Sequence, residues 1–340
     1  SLVQIPSTTT NDVYAWSSPT VVNGKVIIGI SSNCDIPFVQ GQVRAYDASN
    51  GNLLWVHKTI PDGYAGAGQW TDAAVDANGD VYVSTGSTYD STAQAHPNTT
   101  PGFEQYSIIK LNGSTGALMW KAPAPQYLSD PDYASSPILF QGNGVGLVGA
   151  TNKDGWFRVY RQSDGVEVWQ ALVGSQGTEA DTSISSGGVW DGTHLFVLSN
   201  ATKTGGTWTQ FPYDVWTPQG GSSTPGSLRQ LDPATGALVS VGGSRWELPM
   251  PSNMMGPCSM NANSLLVCAG GQLQNVDDNA HNNGVFVIDT TRPASSAIVA
   301  HLEDRPNGTN TVNFGEFAQP IIENGAILAA NLNDIVKWGH

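Results

Sequence analysis

Apolar and polar residues alternate with a period of two along short runs, and the runs come in pairs joined by turn residues. One kind of pair reads "SSPTVVNGKVIIGI" (17–30), "TDAAVDANGDVYVST" (71–85) and "SSPILFQGNGVGLVGA" (135–150). It returns as "GGVWDGTHLFVLS" (187–199), "GPCSMNANSLLVCAG" (256–270) and "AQPIIENGAILAA" (318–330). A second kind follows the first: "VRAYDASNGNLLW" (43–55), "IIKLNGSTGALMW" (108–120) and "FRVYRQSDGVEVW" (157–169). A fourth copy, "LRQLDPATGALVS" (228–240), lacks the terminal Trp, and "VFVIDTTRPASSA" (285–297) is more degenerate. Period-two runs around Asn-Gly or Gly-containing turns predict β-hairpins. Two hairpins per repeat make a four-stranded antiparallel unit.

Such a unit cannot bury both faces alone. Repetition around an axis solves that, so the predicted fold is all-β, a β-propeller of four-stranded antiparallel blades with about six blades in this chain. A sandwich is the structural alternative, but it gives no reason for a Trp recurring at the end of the fourth strand. In a propeller that Trp packs between blades. With strands lettered A to D outward, the A–B turns (Asn23-Gly24, Asn78-Gly79, Asn324-Gly325) and C–D turns (Gly51, Gly116, Gly165, Gly236) are short. The connections at 31–41, 57–70, 86–105, 121–134, 200–227, 243–255, 271–283 and 300–317 are long and are expected on the opposite rim, where a site belongs. There are six A–B hairpins but five C–D segments. Either "SLVQIP" at the N-terminus completes the last blade after "NDIVKWGH", or the chain is part of a larger propeller. Residues 1–340 are read as a single propeller domain.

Composition narrows the partners. Lys and Arg number 14 against 28 Asp and Glu, a net charge of -14. An acidic chain repels phosphate backbones, so no nucleic-acid partner is expected. No apolar run approaches the roughly 20 residues of a membrane span. The opening "SLVQIPSTTT" has no basic n-region and no initiating Met, so an export signal is not expected within this chain. Few Lys and abundant Gly, Ser, Thr and Asn lean toward a secreted or periplasmic protein. Four Asn-x-Ser/Thr sequons (Asn98, Asn112, Asn200, Asn307) are no more than chance supplies. Cys258 and Cys268 lie opposite each other if the hairpin pairs symmetrically about Asn263; a cross-strand disulfide and two buried thiols are both open. No Cys-x-x-Cys-His is present, so no covalent c-type haem is expected here.

The repeats "AYDASNGNLLW", with "GAGQWTDAAVDANGDVYVSTGS" (66–87) and "DYASSPILF" (132–140), resemble pyrroloquinoline quinone (PQQ) alcohol dehydrogenases, the polyvinyl-alcohol-dehydrogenase-like members most of all. The likeness is dense over 17–170. It implies PQQ- and Ca²⁺-dependent oxidation of a small-molecule or polymeric alcohol; the redox partner is unknown. Carried over by position, Ser32, Asn33 and Cys34 match quinone contacts, and Asp35 matches an acidic Ca²⁺ ligand. Trp70 matches the indole stacked beneath the cofactor. Asp132 matches the general base and a metal-site carboxylate. Lys153 matches the cation that polarises a quinone oxygen. Ser87 stands where the family has an Asn metal ligand, and Gln40 where an Arg is usual. The family's adjacent-cysteine disulfide has no counterpart.

Each of these has a plainer reading from the residues alone. Asp35 and Asp132 are turn carboxylates, Trp70 an inter-blade packer, and Lys153 a surface cation in an Asn-Lys-Asp-Gly turn. The insert "GGTWTQFPYDVWTPQGG" (205–221) reads as a lid, substrate wall or partner surface, and "NVDDNAHNNG" (275–284) as a polar loop. A non-catalytic binding or scaffold propeller that has lost the cofactor is the alternative function.

Overall fold

The computed structural model describes residues 13–32, 38–88, 95–125, 132–174, 187–200, 203–204, 207–208, 226–250, 254, 256–262, 264–270, 284–302, 319–330 and 335–339. Each predicted A–B hairpin opens an antiparallel meander. The first sheet joins Thr20–Val22, Lys25–Ser32, Gln42–Asp47 and Leu53–Lys58, with Val13–Tyr14 paired to the end of Lys25–Ser32. The second joins Ala74–Val75, Val81–Ser84, Ser107–Leu111 and Leu118–Pro123; the third joins Ile138–Gly142, Val145–Thr151, Trp156–Arg161 and Glu167–Leu172. The fourth is Gly188–Trp190, Leu195–Asn200, Gly226–Leu231 and Glu247–Met250. The fifth is Ser259–Met260, Leu265–Gly270, Gly284–Asp289 and Ile298–Leu302. A sixth has three strands among the described residues, Ile321–Glu323, Ala326–Ala330 and Ile335–Trp338. The segment "SLVQIP" lies outside the described residues.

The short turns have the backbone their residues favour. Asn23-Gly24 (φ 50 and 74) and Asn324-Gly325 (φ 49 and 79) are left-handed at both positions, the twist that matches a two-residue hairpin. In the C–D turns the side chain of Asp47, Asn112 or Asp232 accepts the N–H two residues on, at 2.8, 3.0 and 2.9 Å. That Asx closure is what the repeated Asp/Asn supplies.

The contacts divide the chain into two compact units. Ser1–Leu139, Val145–Asn152 and Arg158–Val168 form the first; Phe140–Gly144, Lys153–Phe157 and Trp169–His340 form the second. In the first unit, Ile27, Val43, Ala45 and Trp55 of one sheet pack against Val81, Val83, Ile109 and Leu111 of the next. In the second, Phe196, Leu228, Trp246 and Leu248 pack against Leu266, Cys268, Phe286 and Ile288. Sheets are therefore buried on both faces, as the pattern Ser107–Leu111, buried throughout, requires. Fourth strands are edges and keep apolar residues outside: Leu53, Leu54 and Val56 are exposed.

The recurring Trp does what the propeller reading asks of it. Trp55 Nε1 donates to Gly113 O at 3.2 Å, Trp120 to Gln162 O at 3.1 Å and Trp169 to Pro233 O at 3.0 Å. Each indole thus docks on the C–D turn of the following sheet. Gly116, Gly165 and Gly236 lie beneath the rings, where a Cβ would approach a ring carbon to 2.6, 2.6 and 2.4 Å.

One expectation is overturned here. The fourth copy keeps its Trp: after Leu238 the chain inserts a small hairpin, Ser240–Val241 with Ser244–Arg245, before strand Glu247–Met250. Trp246 enters that strand fully buried and donates to Arg292 O at 2.9 Å. Residues 243–255 are therefore not one long connection. The hairpin displaced the Trp along the sequence without removing it from the packing.

Two further links tie the fold together. Cys258 and Cys268 form the cross-strand disulfide, with Cα atoms 4.4 Å apart and in the register centred on Asn263. In the first unit Ser18 N–H donates to Asp72 Oδ1 at 2.6 Å and Asp72 N–H to Ser136 Oγ at 2.9 Å, so Asp72 joins the inner ends of three successive hairpins. Burial pushes the Asp72 carboxyl above the usual range, against the Ser18 hydrogen bond.

Candidate functional site

In the first unit the segment Ala65–Trp70 runs beside the ends of strands Lys25–Ser32 and Val81–Ser84. Gly68 passes so close to Ser31 that a Cβ would lie 2.3 Å from its Oγ. Ala67 holds φ 54, and its N–H donates to Ser87 O at 2.8 Å. Gly86 N–H donates to Gly68 O at 2.8 Å, while Gly86 O accepts from Tyr106 N–H at 3.1 Å. These backbone ties hold residues 65–70 and 86–88 side by side without a regular ladder.

Asp132 and Trp70 meet at that seam. A Cβ on Gly86 would lie 3.1 Å from Asp132 Oδ1 and 3.2 Å from Trp70 Nε1, so the carboxylate and the indole edge flank one bare stretch of backbone. Asp132 is buried, and its Oδ1 accepts the N–H of Ser87. Ser87 thus bears on Asp132 through its main chain. Tyr133 pairs with Asn152 as an isolated antiparallel bridge, and its hydroxyl meets that of Tyr160 at 2.9 Å, so the residue after Asp132 is fixed as well.

Ser32 ends its strand buried. Its Oγ accepts Val39 N–H at 2.9 Å and its carbonyl accepts the Trp16 indole at 2.9 Å. It thereby pins the start of the 31–41 connection to its end. Asn33, Cys34 and Asp35 lie outside the described residues, as do all of 209–221 in the aromatic insert and 275–283 in the polar loop. Among the described residues no group of three His, Cys, Asp or Glu converges as a metal site. Gln40 is a structural residue: its Nε2 donates to Ile60 O at 3.0 Å and Asp62 Oδ1 at 3.1 Å.

In the second unit Lys153 sits in the tight turn Asn152–Gly155. It is 6% exposed, so the reading as a surface cation does not hold. Asp154, also buried, accepts Trp156 N–H at 3.0 Å, and Gly155 closes the turn at φ 85. A buried ammonium is costly unless hydrogen-bonded or paired, and such sites are commonly functional.

Sequence reasoning missed Gly86, Trp246 and the buried pair Arg229–Glu247. The sequence signal for Gly86 was a Gly directly after an apolar strand, "VSTG", at the entrance to a long loop.

A buried carboxylate and an indole edge about a side-chain-free backbone have the chemistry to border a planar, polar cofactor. Repeated four-stranded antiparallel sheets, each tied to the next by a docked Trp, are the blades of a β-propeller. The chain belongs to the PQQ family described as the glucose/ethanol/alcohol dehydrogenase β-propeller domain, whose model matches residues 2–173. It is 32% identical over 146 residues to quinoprotein glucose dehydrogenase A of Acinetobacter calcoaceticus, covering 37% of this chain and 18% of that protein. In fold it is similar to a quinohemoprotein alcohol dehydrogenase of Pseudomonas putida HK5 (TM-score 0.59, 17% identity, 95% of this chain and 56% of that one). It is also similar to the quinohemoprotein alcohol dehydrogenase of Comamonas testosteroni (TM-score 0.57, 18% identity, 92% and 55%). The chain therefore spans a little over half the length of these structures and less than a fifth of the curated relative. No helix among the described residues is long and apolar enough to cross a membrane.

Proposed function

We propose that this chain is the propeller of a PQQ- and Ca²⁺-dependent dehydrogenase that oxidises an alcohol, small or polymeric, in a secreted or periplasmic setting. The observation that carries this reading is the convergence of Asp132 Oδ1 and Trp70 Nε1 on Gly86. Family membership and the Cys258–Cys268 disulfide support it. Residues 1–340 are taken as one propeller domain.

When bound, PQQ supplies a two-electron acceptor for hydride from the carbinol carbon, and Ca²⁺ supplies a Lewis acid. The chain's own residues do the rest. The Asp132 carboxylate, oriented through Oδ1 by Ser87 N–H, takes the proton of the alcohol hydroxyl. Trp70 offers a flat apolar wall. Ser32, Asn33 and Cys34 would contact the quinone, Asp35 and Asp132 would hold the metal with a contribution from Ser87, and Lys153 would steady negative charge on the acceptor side. The shorter Ser87 side chain, where the family has Asn, favours a second reading: a propeller that binds or scaffolds and no longer holds the cofactor.

Titration of the protein with PQQ and Ca²⁺, followed by quinone absorbance and by dye reduction with simple alcohols, separates the two. Stoichiometric binding that weakens in Asp35→Ala and alcohol-dependent turnover that disappears in Asp132→Ala are expected of the enzyme. Absence of PQQ binding would leave the scaffold reading.

A further inference from the structure

Arg229 lies in the middle of strand Gly226–Leu231, 0% exposed, opposite Glu247 in the pairing register. Its Nε and Nη2 both reach Glu247 Oε1 at 3.1 Å. Its Nη1 donates outside the sheet, to the carbonyl of Val173, the first residue after strand Glu167–Leu172. Val173 and Gly174 in turn donate their N–H groups to Gly155 O at 2.8 and 3.0 Å. Gly155 is the last residue of the turn that carries Lys153, two positions away.

Burying an ion pair costs several kcal/mol per ion, and an apolar pair of equal volume often serves stability as well or better. What an apolar pair cannot do is donate to a carbonyl outside its own ladder. Burial pulls the Arg229 guanidinium down to about 10, against the opposing pull of Glu247, so the group keeps its charge at neutral pH. The guanidinium fork is rigid, so the Nε hydrogen bond and the ion pair to Glu247 together aim Nη1. The aimed donor fixes Val173, Val173 and Gly174 fix Gly155, and Gly155 sets where the turn leaves Lys153.

We propose that the Arg229–Glu247 pair is a positioning device for Lys153, and that through Lys153 it sets the affinity of the chain for PQQ. This rests on the function proposed above, in which Lys153 faces the acceptor.

The test is a double-mutant cycle on PQQ binding, measured by absorbance titration at saturating Ca²⁺ with melting temperature recorded alongside. Arg229→Met with Glu247→Leu replaces the pair by apolar residues and leaves no lone buried charge. It is expected to melt within a few degrees of the parent yet to bind PQQ about tenfold more weakly. In a Lys153→Met background the same replacement should cause no further loss, because the residue it acts through is gone. Should the paired variant fail to fold, Arg229→Lys keeps the charge on Glu247 but cannot also reach Val173, and must show the same weakening and the same dependence on Lys153. Unchanged PQQ affinity, or an equal loss in both backgrounds, would overturn the proposal while leaving the dehydrogenase reading standing. A parent protein that binds no PQQ overturns both.

Discussion

The indole N–H of Trp246 reaches the carbonyl of Arg292 at 2.9 Å, the same kind of bond that Trp169 makes to Pro233 and Trp55 to Gly113. Four sheets thus hand an indole to the turn of the next. Trp246 also contacts the core that holds Phe196 and Ile288. Trp246→Ala is expected to cost ~3–5 kcal/mol in urea unfolding, comparable to Trp169→Ala. Gly116→Ala is expected to cost about 1–3 kcal/mol, since it combines φ 71 with a Cβ 2.6 Å from the Trp55 ring.

In the proposed dehydrogenase Asp132 has separable roles in stability and chemistry. Asp132→Asn retains an oxygen for Ser87 N–H, so its unfolding midpoint should stay close to the parent's. Asp132→Ala leaves that buried N–H without its acceptor and should lose about 1–3 kcal/mol. Both should lower kcat by ~10²–10⁴-fold, because neither can take the alcohol proton. Equal unfolding curves for the two variants would contradict the hydrogen-bonding role.

The inner-strand link through Asp72 predicts a pH dependence with a definite sign. Burial raises this carboxyl in the folded state, so folding binds its proton more tightly than the unfolded chain does. Its contribution is fully present below the unfolded value, about 4, and is lost as pH rises through the raised folded value. Asp72→Asn keeps an oxygen for Ser18 N–H and removes the buried charge. The variant should therefore gain on the parent as pH is raised from about 4 to 7, read as the difference in urea midpoint. A difference independent of pH would count against a buried, titrating Asp72.

The disulfide closes a short loop, and both sulfurs lie in the core of the fourth and fifth sheets. Reduction, or the double change Cys258→Ala with Cys268→Ala, is expected to lower stability by about 2–3 kcal/mol. Unfolding with and without reductant measures it directly.

Most of the blade plan was legible because its signals are local. Asn-Gly pairs, the Asx closure at Asp47 and Asn112, and the Trp four residues after Gly51, Gly116 and Gly165 each act within one hairpin. The fourth Trp was not legible for a physical reason: the inserted hairpin at 240–245 moved it ten residues past Gly236, beyond the spacing that identified the others. The site divides the same way. Asp132, Trp70 and Ser87 were reached by resemblance, and they meet in space at Gly86. Arg229 was not reached. In a strand of alternating pattern an Arg reads as solvent-facing, and its burial makes sense only once Glu247, displaced by the same insertion, is paired with it.

The direction of the Trp contacts has a consequence for how the chain is made. Each of these four docked indoles belongs to an earlier sheet and its accepting carbonyl to a later one. A nascent chain emerging from its N-terminus therefore always presents an uncapped Trp at its growing edge: Trp55 waits for Gly113, Trp120 for Gln162, Trp169 for Pro233 and Trp246 for Arg292. At synthesis rates of roughly 5–20 residues per second, each indole is without its turn for several seconds, longest for Trp169, whose turn lies 64 residues on. Synthesis in that direction leaves each sheet to be finished by its successor, and the interval between them is when an exposed edge is open to a neighbouring chain.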